Sequence, residues 1–302
     1  MEILSRYHGC LLGLAAGDAV GTTVEFRRRG TFETVTDMTG GGPFHLQPGQ
    51  WTDDTSMALC LASSLVECGG FDPYDQMKRY LNWRDLGYWS STGRCFDIGN
   101  TTSAALNHFQ QTGEAFSGST SPHAAGNGSL MRLAPVPLYF YPDREQAVFF
   151  AGESSRTTHA AAECVDACRL FADMLCRALD GADKAAILFN SDPALVASPA
   201  IKAIALGDYQ AKTVDQIDGS GYVVRSLEAA LWCFWTTDSF AAAILAAANL
   251  GNDADTTAAI CGQIAGAFYG ESGIPAAWLE KLAMADEIRK LADQLCEAKD
   301  NP

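Results

Sequence analysis

AAECVDACRLFADMLCRAL, residues 161–179, sets Val165, Cys168, Phe171, Met174, Leu175 and Leu179 at steps of three and four. That spacing returns an apolar side chain to the same side of a 3.6-residue turn, so the stretch reads as an amphipathic α-helix with one buried stripe. A half-buried strand would alternate with period two, and such runs are scarce along the chain. Helical patterning extends outward to Leu11–Val20, Thr55–Cys68, Tyr74–Asp85, Ser103–Gln111, Arg144–Ser155, Gly221–Thr236, Ser239–Asn249, Ala254–Gly270 and Trp278–Glu297. The predicted class is all-α. Glycine and proline mark the intervening loops at 39–43, 48–50, 112–127 and 191–199, where function is expected to sit.

At 302 residues the chain reaches the size at which one hydrophobic core stops growing, and a single domain over residues 1–302 is the reading adopted. The formal charge of -15 excludes a nucleic-acid partner, whose phosphates need a basic footprint. Phe240–Leu250, the longest apolar tract, is far shorter than the roughly 20 residues a membrane span requires. Gly9–Ala16 imitates a secretory apolar region, but Glu2 and Asp18 flank it, and no signal peptide is expected. Ten cysteines are scattered without a CxxC pair, as reduced core residues of a cytoplasmic, monomeric protein would be.

Two acidic tracts, Trp51-Thr52-Asp53-Asp54-Thr55 and Asn252-Asp253-Ala254-Asp255-Thr256, each end where a helical run begins. A lone Asp or Thr before a helix is ordinarily a cap. Two neighbouring aspartates exceed what a cap needs, because adjacent like charges repel unless a cation lies between them. Carboxylates with hydroxyls are hard oxygen donors that suit magnesium or manganese better than zinc or iron. The Ala/Gly-rich run 258–270 after the second tract lets its helix pack centrally, so the two tracts read as halves of one dinuclear site. Asp253-Ala254-Asp255-Thr256-Thr257 also fits the DxDxT pattern of haloacid-dehalogenase-type phosphatases, yet it follows an Ala-rich helix where that pattern needs a Val/Ile-rich strand.

Seven ordered motifs carry a resemblance to a known family. They are Gly13-Leu14-Ala15-Ala16-Gly17-Asp18-Ala19-Val20-Gly21 with Val24-Glu25-Phe26, Met38-Thr39-Gly40-Gly41-Gly42, the first acidic tract, Phe96-Asp97-Ile98-Gly99-Asn100-Thr101, Gly126-Asn127-Gly128-Ser129-Leu130-Met131-Arg132, Thr158-His159, and Gly251-Asn252-Asp253-Ala254-Asp255-Thr256-Thr257. Together they resemble the ADP-ribosylglycohydrolases, with the greatest likeness to bacterial dinitrogenase-reductase-activating glycohydrolases. The likeness runs from about residue 8 to 290. It implies an orthogonal all-helical domain with two Mg2+ or Mn2+ ions in a central cleft, held by Thr52, Asp53, Asp54, Asp253, Asp255 and Thr256.

The resemblance further implies that the ions hold the cis-diol of a terminal ribose while the bond from ADP-ribose to a modified protein side chain, usually arginine, is hydrolysed. Asp97 and Glu25 match the family's acidic residues beside the centre and are the catalytic candidates, since N-glycoside hydrolysis needs proton delivery and an activated water. Without the family, Asp97 would read as a turn residue and Glu25 as a surface charge. Asn100, Gly126, Asn127, Gly128, Ser129 and His159 correspond to contacts with ribose, phosphate and nucleotide. Asn252 stands where relatives carry a second glycine; if the position is left-handed, Asn is the least costly replacement. The function expected is release of ADP-ribose from ADP-ribosylated protein. Cleavage of a serine, polymer or acetylated ADP-ribose linkage, or ADP-ribose binding without catalysis, are the competing readings.

Overall fold

The computed structural model describes residues 2–298. Its first helices are α1 (Ile3–Gly21), α2 (Asp53–Cys68), α3 (Pro73–Leu86), α4 (Asn100–Thr112), α5 (Pro135–Phe140), α6 (Arg144–Arg156) and α7 (Ala162–Leu179). The rest are α8 (Lys184–Phe189), α9 (Pro199–Ala205), α10 (Val223–Trp235), α11 (Phe240–Ala248), α12 (Ala254–Tyr269), α13 (Ala276–Lys281) and α14 (Ala285–Ala298). The all-α class is as predicted: among the described residues β pairing is confined to isolated bridges such as Arg28 with Gly251. A DxDxT phosphatase would need a parallel sheet, so that reading is excluded. No helix of the described residues is long and apolar enough to cross a membrane.

One continuous apolar cluster runs from Tyr7 to Leu295. Helix α7 buries the full stripe that identified it, Val165 through Leu179, and each large aliphatic or aromatic side chain so removed from water contributes roughly 1.5–3 kcal/mol. At the centre α1 and α12 run antiparallel with their backbones in contact. A Cβ on Gly9, Gly13, Gly17 or Gly21 would lie 2.2, 2.4, 2.1 or 2.3 Å from the carbonyl oxygen of Gly266, Gly262, Ala258 or Ala254 respectively. No real side chain fits at those distances, so the repeat of glycine every fourth residue fixes how closely the two helices approach. Asp18 near the end of α1 and Asp255 at the start of α12 are thereby set side by side.

Two expectations about elements need correction. The helix expected over Trp278–Glu297 is broken between α13 and α14: Ala283 donates its N–H to the Gly49 carbonyl at 3.0 Å instead of continuing the helix, and Met284 sits at φ 53°. Short helices α5, α8 and α9 were not expected at all. Pro135 and Pro199 open two of them, where the missing proline N–H costs nothing, and each spans too few residues to show a period.

Candidate active site

Helix α2 begins without a local cap. Thr52 occupies the N-cap position but its side chain makes no capping bond. Asp18 of α1 caps the helix instead: its Oδ1 accepts from the Thr52 N–H and hydroxyl, both at 2.9 Å, and its Oδ2 from the Thr55 N–H at 3.1 Å and hydroxyl at 2.6 Å. Asp53 and Asp54 are left free of capping duty in the first turn. The second tract is built in the same way, since Asp253 at the N-cap of α12 also makes no capping bond. Its Oδ2 accepts from the Asn127 side-chain amide at 2.6 Å, and that amide also reaches the Ser226 hydroxyl at 2.6 Å.

A short latch brings Glu25 to the second tract. The Phe26 N–H donates to the Asn252 carbonyl and the Asn252 N–H to the Arg27 carbonyl, both at 2.7 Å. Asn252 is left-handed at φ 56°, next to Gly251 at φ 70°, which explains why asparagine serves here in place of glycine. Glu25, Asp97 and Asp255 each bring a carboxylate oxygen to within 4.8 Å of the others, and Asp18, Asp54 and Asp255 form a second such group. The two acidic tracts therefore do meet, through Asp255.

The electrostatics of this cluster call for a cation. Burial, followed by repulsion from neighbouring carboxylates, pushes the pKa values of Asp53, Asp54 and Asp255 far above the ordinary carboxylate range, and Glu25 and Asp97 move the same way. Buried Oδ1 atoms of Asp54 and Asp255 accept no hydrogen bond from the described residues. Unsatisfied buried carboxylate oxygens are costly, and a divalent cation satisfies both faults at once. With only oxygen donors converging, the set fits a hard divalent metal ion.

Above the cluster lies a cleft of about 500 Å³ whose lining includes Glu25, Asp53, Asp97, Asn100, Gly126, Asn127, Gly128, His159, Asp253, Asp255 and Thr256. Thr52, Asp54 and Ser129 are buried but lie behind that lining. The Ser129 hydroxyl faces the interior, accepting from Ser155 at 2.8 Å and from the Cys168 thiol at 3.5 Å. Gly126–Ser129 runs into tight turns, with the Leu130 and Met131 N–H groups on the Asn127 carbonyl, and does not open a helix directly. Asn100 instead opens α4, whose cap Gly99 offers no side chain, so the N–H groups of Asn100, Thr101 and Thr102 are at the helix's unsatisfied positive end, beside the cleft. His159 is buried, and desolvation followed by the Arg132 charge pulls its pKa down to about 3, so the imidazole is neutral.

Two residues of the site escaped the sequence reading. Asp18 was quoted within a motif but given no role; a lone aspartate inside an Ala/Gly/Leu helix was the available signal. Arg132 is fully buried beneath the Gly126–Ser129 turn. It donates to the Gly128 carbonyl at 2.8 Å and to the Thr158 hydroxyl at 2.7 Å, and packs over the Tyr80 ring.

An all-helical chain whose central cleft converges carboxylates from two helix starts is the architecture of the ADP-ribosylglycohydrolases. The pattern of that family matches residues 1–302, and the chain belongs to it as an enzyme of that class. ADP-ribosylarginine hydrolase Tri1 of Pseudomonas putida (strain GB-1) is 48% identical over 97% of this chain and 78% of that protein. ADP-ribosyl-[dinitrogen reductase] glycohydrolase of Rhodospirillum rubrum is 32% identical over 97% of this chain and 96% of the relative, so the likeness expected from the motifs holds at a lower identity than that to Tri1. A solved structure described as an ADP-ribosylglycohydrolase-related protein complex matches with a TM-score of 0.87 and 41% identity, covering 98% of this chain and 99% of the other.

Proposed function

We propose that this chain hydrolyses the N-glycosidic bond between ADP-ribose and a protein arginine side chain, releasing ADP-ribose and reversing mono-ADP-ribosylation. One observation carries the reading: Glu25, Asp53, Asp97, Asp253 and Asp255 line the cleft and, among the described residues, no lysine or arginine does. Such a cleft favours a cationic guanidinium over a neutral hydroxyl-derived group. The identity to an ADP-ribosylarginine hydrolase supports the same choice.

Thr52, Asp53, Asp54, Asp253, Asp255 and Thr256 are assigned to hold two Mg2+ or Mn2+ ions. Bound there, the ions supply positive charge that grips the ribose hydroxyls and orients the sugar. Glu25 and Asp97 divide the proton work: one carboxyl gives a proton to the leaving guanidine nitrogen, and the other takes one from the attacking water. The negative charge of the one acting as base also favours the cation-like sugar. Asn127 orients Asp253 through its amide. The start of α4 at Asn100 and the Gly128 and Ser129 N–H groups of the Gly126–Ser129 turn are assigned to the diphosphate, since the Gly126 and Asn127 N–H groups donate to the Ala124 and Gly221 carbonyls at 2.9 and 3.1 Å; Ser129 acts through its backbone because its hydroxyl faces inward. Neutral His159 contributes hydrogen bonding without charge.

We propose a monomer of a single domain as the working unit. The buried thiols Cys10, Cys60, Cys164, Cys168, Cys176, Cys233 and Cys261 suit a reducing compartment, and we place the enzyme in the cytoplasm. The test is release of ADP-ribose from peptides ADP-ribosylated on arginine or on serine, with Mg2+ or Mn2+ added. Turnover of the arginine linkage is expected for the natural chain and lost in Asp53→Ala and Asp255→Ala. No release from the arginine linkage sinks the reading.

A further inference from the structure

Three phenylalanines stand beside the cleft with no part in the chemistry above. Phe26 follows Glu25 and Phe96 precedes Asp97, so each abuts one of the two carboxyls assigned to proton transfer. Phe44 joins them, its ring centroid 6.4 Å from that of Phe26 at 75° and 5.1 Å from that of Phe96 at 58°. Phe26 lines the cleft and is 66% exposed. Left open to water, its ring adds nothing to the core. Its backbone is also held at φ 61°, a region that is costly for a bulky residue and is kept mainly where the surroundings impose it. Here the latch imposes it, through the Phe26 N–H on the Asn252 carbonyl and the Arg27 N–H on the Val24 carbonyl at 3.1 Å.

An aromatic face attracts a cation, and a planar guanidinium stacks on it better than a compact ammonium does. Among the described residues no lysine or arginine of the chain lies over any of these three rings, although Arg27 lies over Phe32 and Arg132 over Tyr80. Phe26, the exposed ring of the three, therefore offers a face to a cation brought from outside. Whichever of Glu25 and Asp97 is ionised supplies complementary charge.

We propose that Phe26, backed by Phe44 and Phe96, is a ledge that stacks the guanidinium of the modified arginine and sets the preference for a planar cationic leaving group. The proposal rests on the arginine-linkage reading above. Phe26 is on this view a specificity-determining residue that touches the leaving group and moves no proton.

The test measures kcat/KM on arginine-linked and serine-linked ADP-ribosyl peptides, together with ADP-ribose affinity by calorimetry, for the natural chain, Phe26→Ala and Phe26→Trp. Phe26→Ala is expected to lose about 3- to 5-fold on the arginine linkage, the upper part of the range of an exposed cation–π contact. Its ADP-ribose affinity and any serine-linkage turnover should stay within about twofold, and Phe26→Trp should keep the arginine activity, since tryptophan offers the better face. If Phe26→Ala does not fold, Phe44→Ala reads the same ratio with the backing ring removed. Natural turnover of the arginine linkage with an unchanged Phe26→Ala overturns the ledge alone. Weaker ADP-ribose binding, or an equal loss on both linkages, overturns it too by making the ring a mere shaper of the cleft. Absence of arginine turnover in the natural chain overturns the function reading and the ledge with it.

Discussion

At the scale of single residues, Asp18 and Asp54 look alike in sequence and should behave oppositely on substitution. Asp18 accepts four hydrogen bonds and caps α2; Asp18→Ala leaves buried donors unmatched and is predicted to cost about 2–3 kcal/mol. Asp54 brings charge into an already negative cluster and has an oxygen without a partner among the described residues. Asp54→Asn removes that repulsion, so the chelated protein should become more stable while turnover falls by about 100-fold or more, a trade of stability against function. Urea unfolding in excess chelator, beside an ADP-ribose release assay, reads both effects. An Asp54→Asn protein less stable than the natural chain would mean that the fold already compensates this charge. The paired aspartates were legible in the sequence because they exceed a cap's needs. Asp18 was not, because it caps a helix 34 positions away and leaves no local pattern.

Among elements, the contact of α1 with α12 does two jobs that can be separated. A Cβ at Gly9 would strike the Gly266 carbonyl at 2.2 Å and one at Gly17 the Ala258 carbonyl at 2.1 Å, so Gly9→Ala and Gly17→Ala should each lose about 1–3 kcal/mol by overpacking. Gly17 adjoins Asp18 and pairs near the start of α12, whereas Gly9 lies two turns further from the site. Only Gly17→Ala should therefore also weaken the metal-dependent rise in melting temperature, measured by titrating Mn2+ into chelator-treated protein. An equal loss of metal response in both variants would show that the helix spacing is not what sets the carboxylates. Long helices such as α7 were readable from their stripes, and the central place of α12 from its small residues. The break between α13 and α14 was not, because Gly49, remote in sequence, takes the Ala283 N–H that would have continued the helix.

For the molecule as a whole, the central carboxylates tie stability to pH and to metal. Unfolded, these groups titrate near pH 4; in the metal-free fold burial and neighbouring charges push Asp18 up to about 6 and Asp97 to about 7, with Asp53, Asp54 and Asp255 moved in the same direction. A group whose pKa is raised on folding binds more protons folded than unfolded. Its stabilisation is complete below the unfolded value and is lost as pH climbs through the folded one. Melting temperature in chelator should thus fall between pH 5 and pH 8. Divalent ions compete with protons for the same oxygens, so the stabilisation on adding Mn2+ or Mg2+ at a fixed concentration should be larger at pH 8, reaching about 2.7 kcal/mol per ion where that concentration is a hundredfold excess over its Kd. The net charge of -15 would produce a similar acid preference through general self-repulsion. The two causes separate in Asp54→Asn/Asp255→Asn, which changes the overall charge little but removes two central carboxylates of the cluster, Asp255 being common to both of its groups: its chelated melting temperature should vary less with pH than that of the natural chain, and its response to metal should vanish. An unaltered pH slope in that variant would assign the effect to the surface and detach it from the site.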